Sequence, residues 1–191
     1  MKYLLPIILL ALVSVCGFSQ NTYTHLTFMG LPIAGSSDFF VQQLEKKGFS
    51  KLSEFESSVN LYGKFANEIV ELMVLSSPRT KTVCKVIVYF PEKSNWSDLR
   101  QDYFAKKKLY RSKYLMTDDF EFFSSPYEDG DGYEMRAVAA EKCNFTSFFS
   151  EPGGHIYIEI CPKKCIKVTY EDNVNIKIAK EELEFNAFED I

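Results

Sequence analysis

The chain has 191 residues, with 26 acidic against 22 basic side chains, a net charge of −4 and only two histidines. That mild acidity argues against a general nucleic-acid binder, and the length is enough for one domain with a hydrophobic core. Seventeen Phe and eleven Tyr stand beside a single Trp, a content that suits a β-rich core first and an aromatic recognition surface second.

Met1-Lys2 is a short basic start, and Tyr3 to Val15 is an almost unbroken apolar run. Gly17 and Ser19 place small residues at the two positions that matter for a cut before Gln20. Residues 1–19 therefore read as a secretory signal peptide: the run is too short for a permanent transmembrane helix, and nothing later is apolar for long enough. Cys16 raises a lipid anchor, but such a cleavage site wants a small residue before the cysteine, and Val15 is there. The expectation is a soluble secreted or periplasmic protein, its single α+β domain spanning residues 20–191.

Along that domain, His25 to Met29 reads as a short strand. Ser36 or Ser37 caps a first helix in which Phe40, Val41 and Leu44 share a face and Gly48 is the stop. Val59 to Ala66 and Ile69 to Leu75 form a hairpin around Asn67-Glu68. Thr82 to Phe90, with Val83, Val86, Ile87 and Val88, is the clearest strand. A second helix starts near Ser94 to Ser97 and buries Trp96, Leu99, Tyr103, Leu109 and Tyr110. Lys106, Lys107, Lys108 and Arg111 read as its solvated face, ahead of a site for an acidic partner.

Residues 115–132 read as a long irregular stretch containing Pro126 and Asp129-Gly130-Asp131-Gly132. Strands follow at Tyr133 to Cys143 and Phe145 to Phe149. His155 to Ile160 and Cys165 to Tyr170 make a hairpin around Pro162-Lys163-Lys164, and the tail carries a helix near Ala179 to Phe188. The fold class is therefore α+β: an antiparallel sheet of six to seven strands with two helices on one face. Two blocks, 36–91 and 95–172, suggest a duplicated helix-plus-three-strand unit.

Catalytic patterns are absent from the sequence. No Gly-x-Ser-x-Gly elbow or papain-like cysteine context accompanies His25 or His155. The Asp129–Gly132 run lacks the later oxygen ligands of a calcium loop, with Tyr133 and Ala140 in their places, so an acidic turn is the expectation. No metal-ligand spacing and no cofactor motif occurs. The asparagines of Asn95-Trp96-Ser97 and Asn144-Phe145-Thr146 match glycosylation sequons, which matter only in a host with that machinery.

Four cysteines remain after processing, Cys84, Cys143, Cys161 and Cys165, and they allow three full pairings. Ile160 and Ile166 alternate inward, so Cys161 and Cys165 close the last hairpin on its outer face and are the disulfide candidate. The same alternation turns Tyr157 and Glu159 away from Ile156, Ile158 and Ile160, and turns Ile87 and Tyr89 away from Val86, Val88 and Phe90. Tyr89, Tyr157, Ile87 and Glu159 are thus the candidate binding patch, suited to a partner or ligand with apolar or aromatic surface. Cover by the tail or the long loop is the competing expectation.

The segments His25-Leu-Thr-Phe-Met-Gly-Leu-Pro-Ile33, Lys47-Gly48-Phe49, Lys85-Val-Ile-Val-Tyr-Phe-Pro91, Trp96-Ser-Asp-Leu99, Val168-Thr-Tyr-Glu-Asp-Asn173 and Asp190-Ile191 carry a resemblance. The chain resembles a family of small secreted proteins from Gram-negative gut anaerobes, a likeness that brings no active site with it. The order of elements also resembles the β-lactamase inhibitor protein and outer-membrane assembly lipoprotein layout, which implies a non-enzymatic binding module by analogy alone. The sequence thus favours an exported binding module, ahead of a secreted enzyme of another type and a structural envelope component.

Overall fold

The computed structural model describes residues 24–189. The expected signal peptide, Cys16 and the cut before Gln20 lie outside the described residues. The first described elements are a two-stranded ribbon, β1 (Thr27–Phe28) and β2 (Leu31–Pro32), turned by Met29 and Gly30 at positive φ.

Helix α1 (Ser37–Lys46) starts where Ser36 Oγ accepts the Phe39 N–H, and Asp38 complements its dipole. It ends in a Schellman motif: Gly48, at φ 94°, donates to the Glu45 carbonyl, and Phe49 donates to that of Leu44. The motif returns the Phe49 ring to the core, where it is buried.

The strands are β3 (Ser50–Phe55), β4 (Ser58–Phe65), β5 (Glu68–Ser76) and β6 (Val83–Tyr89), then, after helix α2 (Trp96–Arg111), β7 (Leu115–Phe123). Helix α3 (Glu134–Ala139) leads to β8 (Cys143–Glu151), β9 (Gly154–Cys161), β10 (Cys165–Asp172) and helix α4 (Asn175–Glu189). All eight strands from β3 onward form one antiparallel sheet in the order β3-β4-β5-β6-β10-β9-β8-β7. A helix followed by four strands thus occurs twice, and the two last strands, β6 and β10, meet at the centre.

Alternation builds the inner face: Leu61, Leu72, Val74, Val86, Val88, Ile156, Ile158, Ile166 and Val168 are fully enclosed. Phe40, Val41 and Leu44 of α1, and Leu99, Tyr103 and Tyr110 of α2, belong to the same buried cluster. These two helices therefore cover one face. Helix α4 is tied in separately, because the Asn175 side-chain amide donates to the carbonyls of Ile33 and Val83 at 2.8 and 2.9 Å. No helix among the described residues is long and apolar enough to cross a membrane.

The structure corrects the sequence reading in several places. The sheet has eight strands, not six to seven, and the repeating unit has four strands, not three. The sheet's two edges, β3 and β7, were the strands without a clear apolar alternation. Residues 134–139 are helical where a strand was expected, since Glu134, Ala137 and Val138 are buried at helical spacing. Leu109 is exposed. Lys106 and Lys107 are buried instead of solvated. Lys106 pairs with Glu68 at 2.8 Å and with Asp102, while Lys107 pairs with Asp119 and Glu121. Their ammonium groups reach Glu68 of β5 and Asp119 and Glu121 of β7, and Lys106 also meets Asp102 one turn earlier on α2.

Candidate functional site on the outer sheet face

The face turned away from α1 and α2 is assembled by register. Phe148, Tyr157, Thr169, Ile87, Met73 and Asn60 form one lateral row from β8 to β4. The adjacent row runs Thr146, Glu159, Lys167, Tyr89, Glu71, Tyr62. The four patch residues expected from sequence therefore share this face: Ile87 and Tyr157 are in the first row, and Tyr89 and Glu159 in the second. All four are half-buried.

The two halves of this face differ in chemistry. In the centre, charges compensate one another: Glu159 pairs with Lys167, and Lys85 with Glu171 at 2.7 Å. The Tyr157 hydroxyl donates to Glu171, and the Tyr157 ring packs at 5.7 Å from Phe148. Burial works against the Glu171 charge, yet Lys85 and the Tyr157 hydroxyl outweigh it and hold that carboxyl below its ordinary range. Such a region has few groups left over for a ligand.

Toward β3 the surface is hollowed. A groove of about 670 Å³ is lined by Leu52, Tyr62, Ile69, Glu71, Tyr89 and Lys163, with Pro91 and Cys165 at one end. A smaller hollow of about 220 Å³ beside Ser53, Asn60 and Met73 shares Leu52, Glu71, Tyr89 and Lys163 with it. Lys163, in the turn between β9 and β10, stands 4.3 Å above the Tyr89 ring. This is an apolar and aromatic floor with one cation and carboxylates at its margin, the composition of a ligand site of ordinary size.

Of the expected patch, Tyr89 lines the groove; Ile87, Tyr157 and Glu159 do not. Leu52, Tyr62, Ile69, Glu71 and Lys163 were not singled out in the sequence. Tyr62 was within reach, because Val59 and Leu61 fix the inward phase of β4 and leave Tyr62 outward. Leu52 was not, since it sits on an edge strand whose residues are nearly all exposed.

Cys161 and Cys165 are register partners at the end of the last hairpin, both buried, with sulfurs 3.3 Å apart and no bond between them. His25 Nδ1 lies 3.1 Å from Asp172, whose carboxylate also accepts the N–H groups of Leu26, Val174 and Asn175. That pair is a clasp holding the start of the described chain to β10 and α4. His155 is exposed. The Asp131 carboxylate accepts the backbone N–H groups of Glu128 and Tyr133, which makes the acidic run a hydrogen-bonded turn. No group of three or more His, Cys, Asp or Glu side chains among the described residues is placed to hold a metal ion.

No protein-family model, curated protein or solved structure matches this chain. The geometry of the outer face therefore carries the functional reading by itself.

Proposed function

We propose that the protein is an exported binding module, and that its ligand lies in the outer-face groove against Tyr62 and Tyr89. The observation that carries this reading is the concavity itself: an apolar, aromatic-floored groove of about 670 Å³ on the face that α1 and α2 leave uncovered. Its chemistry suits an elongated ligand or chain segment with apolar or aromatic surface, and with a charge to meet Lys163 or Glu71. Export rests on the signal-like residues 1–19.

The test uses the mature chain as bait on envelope and culture fractions, run beside a Tyr62→Ser/Tyr89→Ser variant. Tyr62 is 46% exposed, so its loss removes binding surface at small cost to the fold. The expected result is a ligand or partner that the unsubstituted chain retains and the folded variant loses. Equal retention by both would sink the groove as the binding site.

A further inference from the structure

On the helix-covered side of the sheet, a cavity of about 340 Å³ opens between the end of α2, the β1–β2 turn and the β4–β5 turn. It shares no lining residue with the outer-face groove. Its inner wall is made by the buried Tyr110 of α2 and Tyr170 of β10, with the half-buried Met29 and Phe65 beside them. Leu109 and Lys113 are exposed at its rim.

The hydrogen count at the inner wall does not close. The Tyr110 and Tyr170 hydroxyls are hydrogen-bonded to each other, and neither has a further hydrogen-bond partner among the described residues. Two phenols carry two O–H hydrogens, and the bond between them uses one, whichever of them donates. Burial holds both phenols above their ordinary range, so both hydrogens are present at neutral pH. One O–H donor is therefore left without an acceptor on a pair of residues that are 6% and 4% exposed. Buried donors are almost always satisfied, by protein or by a bound molecule. At the rim, the α2 carbonyls of Lys108, Leu109 and Tyr110 are taken by the N–H groups of Ser112, Lys113 and Tyr114. The Lys113 ammonium stands 4.8 Å above the Tyr114 ring and is paired with no carboxylate among the described residues.

We propose that this cavity binds a small aryl carboxylate with a ketone at its far end, the ketone oxygen accepting the spare tyrosine hydrogen and the carboxylate meeting Lys113. Burial sets that direction. A carboxylate at the tyrosine end would exchange its water for a single donor, whereas a ketone gives up little and gains a hydrogen bond. At the rim the carboxylate keeps water on one side and faces the lysine on the other. Met29, Phe65 and Leu109 supply the apolar contact for a ring between the two ends, in a cavity of small-molecule size.

The probe is 4-acetylbenzoate. It is compared with 4-ethylbenzoate, which keeps the shape without the acceptor, and with acetophenone, which lacks the carboxylate. Binding to the purified full chain is followed by NMR of labelled methyl groups. Met29 and Leu109 report the cavity, and Leu52 and Ile69 report the groove. 4-Acetylbenzoate is expected to shift Met29 and Leu109 only, and to bind about five- to tenfold tighter than 4-ethylbenzoate. A single Tyr→Phe change leaves one hydroxyl that still carries its hydrogen, so the deciding variant is Tyr110→Phe/Tyr170→Phe. That variant removes both hydroxyls, orphans neither, and should bind the two benzoates equally. Lys113→Met should weaken 4-acetylbenzoate about two- to fivefold and leave acetophenone unchanged. Circular dichroism checks the double variant, and if it does not fold, the acetyl-over-ethyl ratio of the unsubstituted chain decides. Water as the sole acceptor predicts no shift of Met29 or Leu109 with any probe. That result, shifts at Leu52 and Ile69 instead, a ratio near one, or a ratio kept by the folded double variant would overturn the site. The groove reading rests on Tyr62 and Tyr89 and is tested separately.

Discussion

The Tyr103 hydroxyl of α2 donates to Ser147 Oγ of β8 at 2.7 Å, deep in the core. Ser147 in turn donates to Asp119 of β7 at 2.9 Å, and Asp119 shares the Lys107 ammonium with Glu121. The middle of the inner face of β7, at Asp119 and Glu121, is therefore polar, and α2 supplies its counter-charge. Lys107→Met removes that ammonium and leaves two neighbouring carboxylates partly enclosed. The expected loss is about 1–3 kcal/mol in urea unfolding, below the value for a fully buried pair because both carboxylates keep some water. Adding Asp119→Asn to Lys107→Met should recover part of the loss. Additive losses in the double-mutant cycle would dismiss the coupling.

This network explains what was legible in the sequence. The central strands announce themselves through Val86, Val88, Ile156, Ile158, Ile166 and Val168, which recur at every second position. That phase also placed Tyr89 and Tyr157 on the correct face. β7 hid because Asp119 and Glu121 occupy its inward positions, and their partner, Lys107, comes from a helix earlier in the chain. β3 hid because it is a bulged edge with no apolar side to bury. Both edges carry a register shift and charged side chains, which protect them from pairing with further strands. The groove escaped notice for the same reason, since one of its walls is that edge strand.

Gly153 separates backbone strain from steric exclusion. Its φ is +94°, and an added Cβ would stand 2.3 Å from the Thr24 carbonyl oxygen. Gly48 has the same φ of +94° with nothing within 4 Å of an added Cβ. Gly48→Ala is therefore expected to cost about 1–2 kcal/mol, the strain of the left-handed conformation alone. Gly153→Ala should cost more than about 3 kcal/mol, because the segment bearing Thr24 and Leu26 must move off the β8–β9 turn. Equal midpoints for the two variants in thermal unfolding would show that the Thr24 contact is unimportant.

Tyr89 and Tyr157 share a face but are expected to differ in their effect on stability. Tyr157 packs on Phe148 and bonds to Glu171 within the compensated centre of the sheet. Tyr89 lines the groove, and its ring partner is a turn lysine. Tyr157→Ser should lower stability by about 2–3 kcal/mol through lost packing and an orphaned carboxylate. Tyr89→Ser should cost about 1 kcal/mol and act on binding instead. Chemical denaturation of the two single variants checks this, and the reverse order would move the structural role to Tyr89.

Stability should fall on both sides of neutrality, for different reasons. Glu171 has a carboxyl held below its ordinary 4.5, so its contribution is present above that value and is lost as pH falls through the lower, folded-state one. On the alkaline side, burial pushes the phenols of Tyr103, Tyr110 and Tyr170 above their ordinary 10.0. Burial opposes the Lys107 charge, but Asp119 and Glu121 outweigh it and hold that ammonium above 10.5. For each of these raised groups the stabilisation is complete below the unfolded-state value and is lost as pH climbs from there toward the folded-state one. Burial also raises the Cys84 and Cys143 thiols above their ordinary 9.0, so unfolding free energy measured by urea titration should decline below about pH 5 and above about pH 8. Glu171→Gln should flatten the acid limb and leave the alkaline limb in place. Tyr103→Phe should do the opposite, since it removes one phenol that ionises in the unfolded chain before it can in the folded one. An alkaline limb unchanged in Tyr103→Phe would show that burial does not keep that phenol protonated.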